Sequence, residues 1–315
     1  MMPANTTTAM PQPHTLPPSL APGALIGITC PAGYVAAGRV AHAATVLQQW
    51  GYRVQLGKTV GSEHHYFAGT DDERLADLQA MMDDLTIDAI LMGRGGYGMS
   101  RIIDRLNLDK FRSRPKWVCG FSDITVLHSH LHAQCGIATL HSPMCGAFKP
   151  ETDGVDYLLS LQRALAGTDL QYPIMPHSFS RAGQATGILT GGNLAILAHL
   201  TGSASEVDTT GKILFIEDIG EYLYAADRLL MNLKRAGKLA HLAGLVVGSF
   251  TDMQDTERPF GQTIEEIVAD KVREYAYPVA FAFPAGHQEV NYTLTLGAVH
   301  QLQVGPAGGM LSLVR

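Results

Sequence analysis

The sequence predicts an α/β protein: a mostly parallel sheet domain first, then a second, smaller α/β domain with more antiparallel character. Three observations carry this. Between residues 25 and 134, apolar runs of strand length alternate with segments whose apolar residues recur at helical spacing, the pattern of a parallel sheet covered on both faces. Glycine is abundant, at 33 of 315 residues, which suits many tight strand-to-helix turns. Near the C-terminus, 292–296, 299–304 and 310–314 alternate apolar and polar residues, as antiparallel strands do.

Taken in order, residues 1–22 are polar and rich in proline, a disordered or extended tail. Residues 23–148 form the first domain. LIGITC (25–30) is a buried strand stopped by Pro31, 39–50 is a helix and 53–56 a strand. A helix over 71–84 opens with Thr70-Asp71-Asp72, acidic residues being favoured at a helix N-terminus. Then come a strand at 87–92, a helix at 99–106, a strand at 116–121 and a helix at 123–134. In 149–183, Gly, Pro and polar clusters surround one helix at about 155–166, the composition of a linker. The second domain, 184–315, has helices near 192–201, 221–236 and 261–275, strands at 212–216, 243–249 and 278–283, and the three antiparallel segments.

Composition removes several functions. Apolar residues are 46% and charged residues 17%, a globular balance. The net charge is −6 and no basic block is present, so nucleic acid and anionic membrane are poor partners. No apolar run approaches the ~18 residues of a membrane span. The tail lacks the basic and apolar regions of a signal peptide, and a cytoplasmic location is expected. Cys30, Cys119, Cys135 and Cys145 form no Cys-x-x-Cys pair and read as small hydrophobes of a reducing compartment. No metal and no cofactor are expected.

Four features could carry chemistry. Gly93-Arg94-Gly95-Gly96-Tyr97-Gly98 follows a strand and satisfies G-x-G-x-x-G, yet no acidic residue ends a following strand at the distance a dinucleotide ribose needs. Its alternatives are a plain tight turn, or glycine amides presented to an oxyanion. Gly120-Phe121-Ser122-Asp123 joins a strand to a helix, the setting of a nucleophile elbow, though on local grounds alone a plain helix cap at Ser122 is the simpler reading. His128, His130 and His132 share a helix; 128 and 132 have a spacing that can hold zinc, but no Glu lies near, and satisfied or surface histidines are the simpler reading. Glu217-Asp218 closes a strand and His287 follows another. Ser, Glu and His thus stand, in that order, beside strand ends, where a hydroxyl, its base and an orienting carboxylate could meet.

GRGGYGMSRIIDRL, GFSDIT, HSPM, GGNLAIL, FIEDIGEYLYAADRLL and FPAGH occur in this order. Over roughly 22–315 the chain resembles the LD-carboxypeptidase family, the muramoyltetrapeptide carboxypeptidases with the related microcin C self-immunity hydrolases. The resemblance implies a Rossmann- or flavodoxin-like first domain and a serine peptidase triad of Ser122, Glu217 and His287. It implies oxyanion donors from the backbone N–H groups of Asp123 and Gly96, and release of the terminal D-Ala from murein tetrapeptides in peptidoglycan recycling. Many members carry Gly after the histidine, where this chain has Gln288. Arg94 and Arg101 are the nearest cations for a terminal carboxylate. A homodimer is expected. The alternatives are a microcin-type hydrolase of peptidyl adenylates and, outside the family, a dinucleotide or small-molecule binding protein.

Overall fold

The computed structural model describes residues 12–314. The first domain runs β1 (Leu25–Thr29), α1 (Ala37–Gln49), β2 (Arg53–Leu56), α2 (Asp71–Asp83), β3 (Ala89–Met92), the short α3 (Asp109–Ser113), β4 (Trp117–Gly120), α4 (Thr125–Cys135) and β5 (Thr139–His141). These strands pair in parallel in the order β2-β1-β3-β4-β5, the flavodoxin-like arrangement. β1, β3, β4 and β5 are buried throughout, as central strands covered on both faces must be. The expected start of α2 is a capping box, with Thr70 accepting from the Glu73 N–H and Glu73 reaching back to Thr70.

The next stretch holds α5 (Asp156–Leu165) and β6 (Gln171–Ile174). The second domain follows with β7 (Gly183–Asn193), α6 (Leu194–His199), β8 (Ile213–Ile219), α7 (Leu223–Arg235), β9 (Gly244–Thr251), α8 (Ile264–Lys271), β10 (Val279–Ala280), β11 (Leu294–Leu296), β12 (Val299–Gly305) and β13 (Gly308–Leu313). Its seven-stranded sheet has the order β10-β9-β8-β7-β12-β13-β6. β7 to β10 pair in parallel, and β12, β13 and β6 add on antiparallel.

Three departures from the sequence reading matter. β11, expected in the second domain, lies antiparallel to β5 as the sixth strand of the first sheet. Residues 99–106 form two 3₁₀ turns, Met99–Arg101 and Ile103–Arg105, in place of one helix. Arg101 and Arg105 are drawn to Asp71 and Asp72 of α2, and the Asp123 carboxylate accepts from the Met99 N–H at 2.9 Å. β6 lies within the stretch read as linker. Of the tail, residues 12–22 are extended along the first domain: the His14 N–H donates to the Gly297 carbonyl and Trp117 Nε1 to that of Pro18. Residues 1–11 lie outside the described residues.

The two sheets share one apolar core. A single buried cluster runs from Ile26, Val40 and Leu140 through Leu158 and Leu161 of α5 to Phe215, Leu302 and Leu311. Polar ties join the same surfaces: Tyr172 Oη donates to the Thr293 carbonyl at 2.6 Å, and the Thr293 N–H to Ser160 Oγ at 2.9 Å. A large apolar interface opposes independent domain motion. Among the described residues no helix is long and apolar enough to cross a membrane.

Candidate active site

Gly120 ends β4, and the chain turns sharply into the 3₁₀ segment Ser122–Ile124 ahead of α4. Ser122 holds φ +66°, a left-handed conformation that costs a non-glycine residue of order 1 kcal/mol or more and persists only where the surroundings enforce it. Its Oγ lies 3.0 Å from His287 Nε2. The strained turn thus turns a half-buried hydroxyl away from its own helix and towards the second domain.

His287 lies in the irregular segment after β10, and several bonds fix it. Its carbonyl accepts from Thr251 Oγ1 at 2.6 Å, and its N–H donates to Glu217 Oε2 at 3.1 Å. The preceding Gly286 N–H donates to Asn291 Oδ1 at 2.8 Å. Any side chain at Gly286, where φ is +116°, would run into Ser249 Oγ and Glu217 Oε2, so glycine lets the loop press against the carboxylate. Gln288 is exposed and keeps a negative φ.

Glu217 belongs to β8 itself, not to the turn beyond it. The β8–β9 register shifts between Ile216 and Asp218, a bulge of the kind that re-aims side chains. Glu217 is fully buried, and its Oε2 lies 2.6 Å from His287 Nδ1. A short charge-assisted bond of this kind orients the imidazole and leaves Nε2 facing the serine. Asp218, also buried, accepts from Asn193 Nδ2, Ala195 N–H and Ile219 N–H and so serves the start of α6; burial raises its carboxyl to about 6.

The GRGGYG loop after β3 supplies backbone to the same point. A side chain begun at Gly95 would lie 2.9 Å from Ser122 Cβ and 3.2 Å from the Asp123 nitrogen. The Gly95 carbonyl accepts from the Gly33 N–H at 3.0 Å. The N–H groups of Gly95, Gly96 and Asp123 have no acceptor among the described residues. No α-helix N-terminus follows the loop, only 3₁₀ turns, so the element that would hold a dinucleotide pyrophosphate is missing there. The Asp123 side chain is buried, and desolvation raises its carboxyl to about 6.

The remaining candidates separate. Arg94 is exposed and donates to the Tyr34 carbonyl at 2.8 Å. Arg101 is held by both carboxylate oxygens of Asp71. His128, His130 and His132 diverge to Gly120 O, Ser205 Oγ and Thr139 Oγ1; burial pushes His128 down to about 4. Cys30, Cys119 and Cys145 are buried, Cys135 partly so, and all four are free thiols. Two residues at the site escaped the sequence reading. Asn291 and His141 are linked at 3.2 Å behind Gly286, a long-range contact without a local motif.

Residues 26–142 match the family model described as the LD-carboxypeptidase N-terminal domain, and 186–302 the one described as its C-terminal domain. The chain is 36% identical over 290 residues to a probable murein peptide carboxypeptidase of Bacillus subtilis, covering 90% of this chain and 89% of the relative. It is 29% identical over 288 residues to the murein tetrapeptide carboxypeptidase of Pseudomonas aeruginosa, covering 88% and 92%. The crystal structure of muramoyltetrapeptide carboxypeptidase from Oxalobacter formigenes matches with a TM-score of 0.83 at 26% identity, covering 92% of this chain and 99% of that one. With both halves of the chain matched in order and the relatives aligned over most of their length, the protein belongs to the LD-carboxypeptidase family of hydrolases.

Proposed function

We propose that this hydrolase is a serine carboxypeptidase that removes the terminal D-Ala from murein tetrapeptides, in the cytoplasm, as part of peptidoglycan recycling. The observation that carries the reading is the continuous relay from Ser122 Oγ through His287 to Glu217, at 3.0 and 2.6 Å. The names of the relatives supply the substrate class.

In this mechanism His287 Nε2 takes the Ser122 proton as Oγ attacks the carbonyl carbon of the bond joining the L-centre of diaminopimelate or lysine to D-Ala. Collapse of the tetrahedral intermediate breaks the C–N bond, and the imidazolium returns the proton to the leaving amine. Water, deprotonated by His287, then hydrolyses the ester and restores Ser122. Glu217 stabilises the imidazolium. The oxyanion is held by the N–H groups of Asp123 and Gly96. In a trans peptide the Gly96 N–H points opposite to the Gly95 carbonyl, and that carbonyl is turned to Gly33. Each donor of this kind contributes roughly 2.7–4 kcal/mol. Of the two candidate arginines, Arg94 retains unspent donors for the substrate's terminal carboxylate, whereas Arg101 is neutralised by Asp71.

The test is incubation with a disaccharide-tetrapeptide and mass spectrometry of the product. Loss of one alanine is expected, with little action on the L-Ala-ended tetrapeptide or on the D-Ala–D-Ala bond of the pentapeptide. Comparable rates on all three would contradict the reading. Turnover of a peptidyl adenylate mimic alone would move the substrate to the microcin-type branch.

A further inference from the structure

We propose that Tyr66 is a specificity-determining residue: its phenol, with the Arg94 guanidinium, binds the terminal carboxylate of the substrate. This rests on the carboxypeptidase reading and names a contact that recognises the chain end.

The argument begins with the donors around the nucleophile. Binding a carboxylate in a cleft is costly unless it is paired and hydrogen-bonded. Arg74 is fully buried and committed to Asp71 and to the carbonyls of Pro31, Gly98 and Gly69. Arg101 is committed to Asp71. Arg94, on the residue before Gly95, has one bond, to the Tyr34 carbonyl. Tyr66 is 51% exposed, and its hydroxyl has no partner among the described residues. That hydroxyl overhangs the loop beside Ser122: a side chain begun at Gly96 would put its first carbon 2.8 Å from Oη.

The phenol is held there by a built support. His64 and Phe67 exchange backbone hydrogen bonds at 2.9 and 3.0 Å, closing a tight hairpin in which His65 adopts φ +55°. The Tyr66 carbonyl accepts from the Tyr34 N–H, and the Ala32 carbonyl from the Ala68 N–H, each at 3.1 Å. The guanidinium carbons of Arg74 and Arg101 lie 4.8 and 5.5 Å from the Phe67 ring centre. Arg94 and Tyr66 are therefore anchored to the two peptide groups of one residue, Tyr34. This is a cation with donors to spare beyond Tyr34 and a neutral donor without a partner among the described residues, on a rigid frame next to Ser122. Such a pair suits a carboxylate, which accepts on both oxygens.

The experiment compares wild type, Tyr66→Phe and a Tyr97→Phe control on the tetrapeptide and on its C-terminal amide. Tyr97 is also exposed, and its phenol interacts with Arg101. Tyr66→Phe is expected to lower kcat/KM on the free acid roughly 10- to 100-fold, mainly through KM, because a site built to bond a polar group discriminates strongly when one partner is lost. On the amide, wild type and Tyr66→Phe should be equally slow. Tyr97→Phe should behave as wild type on the acid. An unchanged Tyr66→Phe on the acid overturns the proposal. So does an equal loss on acid and amide, which would assign the phenol to the oxyanion. Wild-type turnover of the tetrapeptide tests the carboxypeptidase reading alone; without it both proposals fall, and with it Tyr66→Phe decides the carboxylate contact by itself.

Discussion

The segments after β4 and after β10 each deliver one partner of the Ser122–His287 contact, by opposite means. Ser122 is held by local strain: a left-handed residue between a strand and a 3₁₀ turn, with Gly95 pressed against its Cβ. His287 has ordinary backbone and is held from a distance, by Thr251, by Glu217 and, through Gly286, by Asn291. A strand-to-helix turn leaves a local trace in sequence, though one a plain helix cap shares. A tethered loop does not, because the ties to His287 itself, from Thr251 and Glu217, come from 36 and 70 residues away. In the proposed mechanism, the nucleophile is then set mainly by its own segment, while the base is placed only when the second sheet is in place.

This difference can be broken most sharply by kinetics. Ser122→Ala should reduce hydrolysis roughly 10⁴-fold or more with the fold retained, and Glu217→Gln roughly 10³-fold, by disturbing the imidazole tautomer. The double variant should be no worse than Ser122→Ala, because the residues act as a unit. Steady-state rates on the tetrapeptide check this; additive losses would mean that Glu217 acts elsewhere.

A second contrast lies in how the domains answer acid. Of the buried histidines among the described residues, His128, His130, His132 and His141 surround the first sheet and only His300 belongs to the second. Burial pushes His128 to about 4 and His141 to about 3. A histidine whose folded pKa is depressed adds stability that is full above its unfolded value near 6.5 and is lost as pH falls below it. By pH 5 the loss is ~2 kcal/mol for each. Asp123 and Asp218, raised to about 6, act with the opposite sign: their burial costs stability above that pH and is relieved below it, which offsets part of the loss. Denaturant titrations followed by Trp50 and Trp117, both in the first domain, should show lower stability at pH 5 than at pH 7. A flat profile would contradict the assignment.

A third contrast concerns β11. Leu294 is fully buried against β5, so Leu294→Ala should cost about 2–5 kcal/mol and unfold the first sheet and the histidine loop together. A melting transition confined to one domain would count against the shared core.

Much of this was legible in sequence, and the exceptions have physical causes. The alternation of apolar runs and helices gave β1 to β4 with their order along the chain, since fully buried strands leave continuous apolar runs. β7 was hidden because Gly183, Gly187, Gly191 and Gly192 lie within it, and glycine weakens any strand signal. β5 is three residues long. The sheet that β11 would join could not be read from its alternation, which fixes a face and not a partner. At the site, the local context of GFSD leaves Ser122 open between nucleophile and helix cap and His287 as an ordinary loop histidine; the family resemblance singles out both. Tyr66 has no motif at all; only the hairpin that carries it over Gly96 gives it meaning.

The central claim is that Ser122 is activated by a base contributed by the other sheet. The most direct measurement is labelling with a fluorophosphonate, followed by peptide mapping and by rates for wild type and His287→Ala. This needs no knowledge of the natural substrate. Label on Ser122, forming roughly 10³-fold more slowly in His287→Ala, is the expected result. Label on another residue, or an equal rate in both proteins, would contradict it.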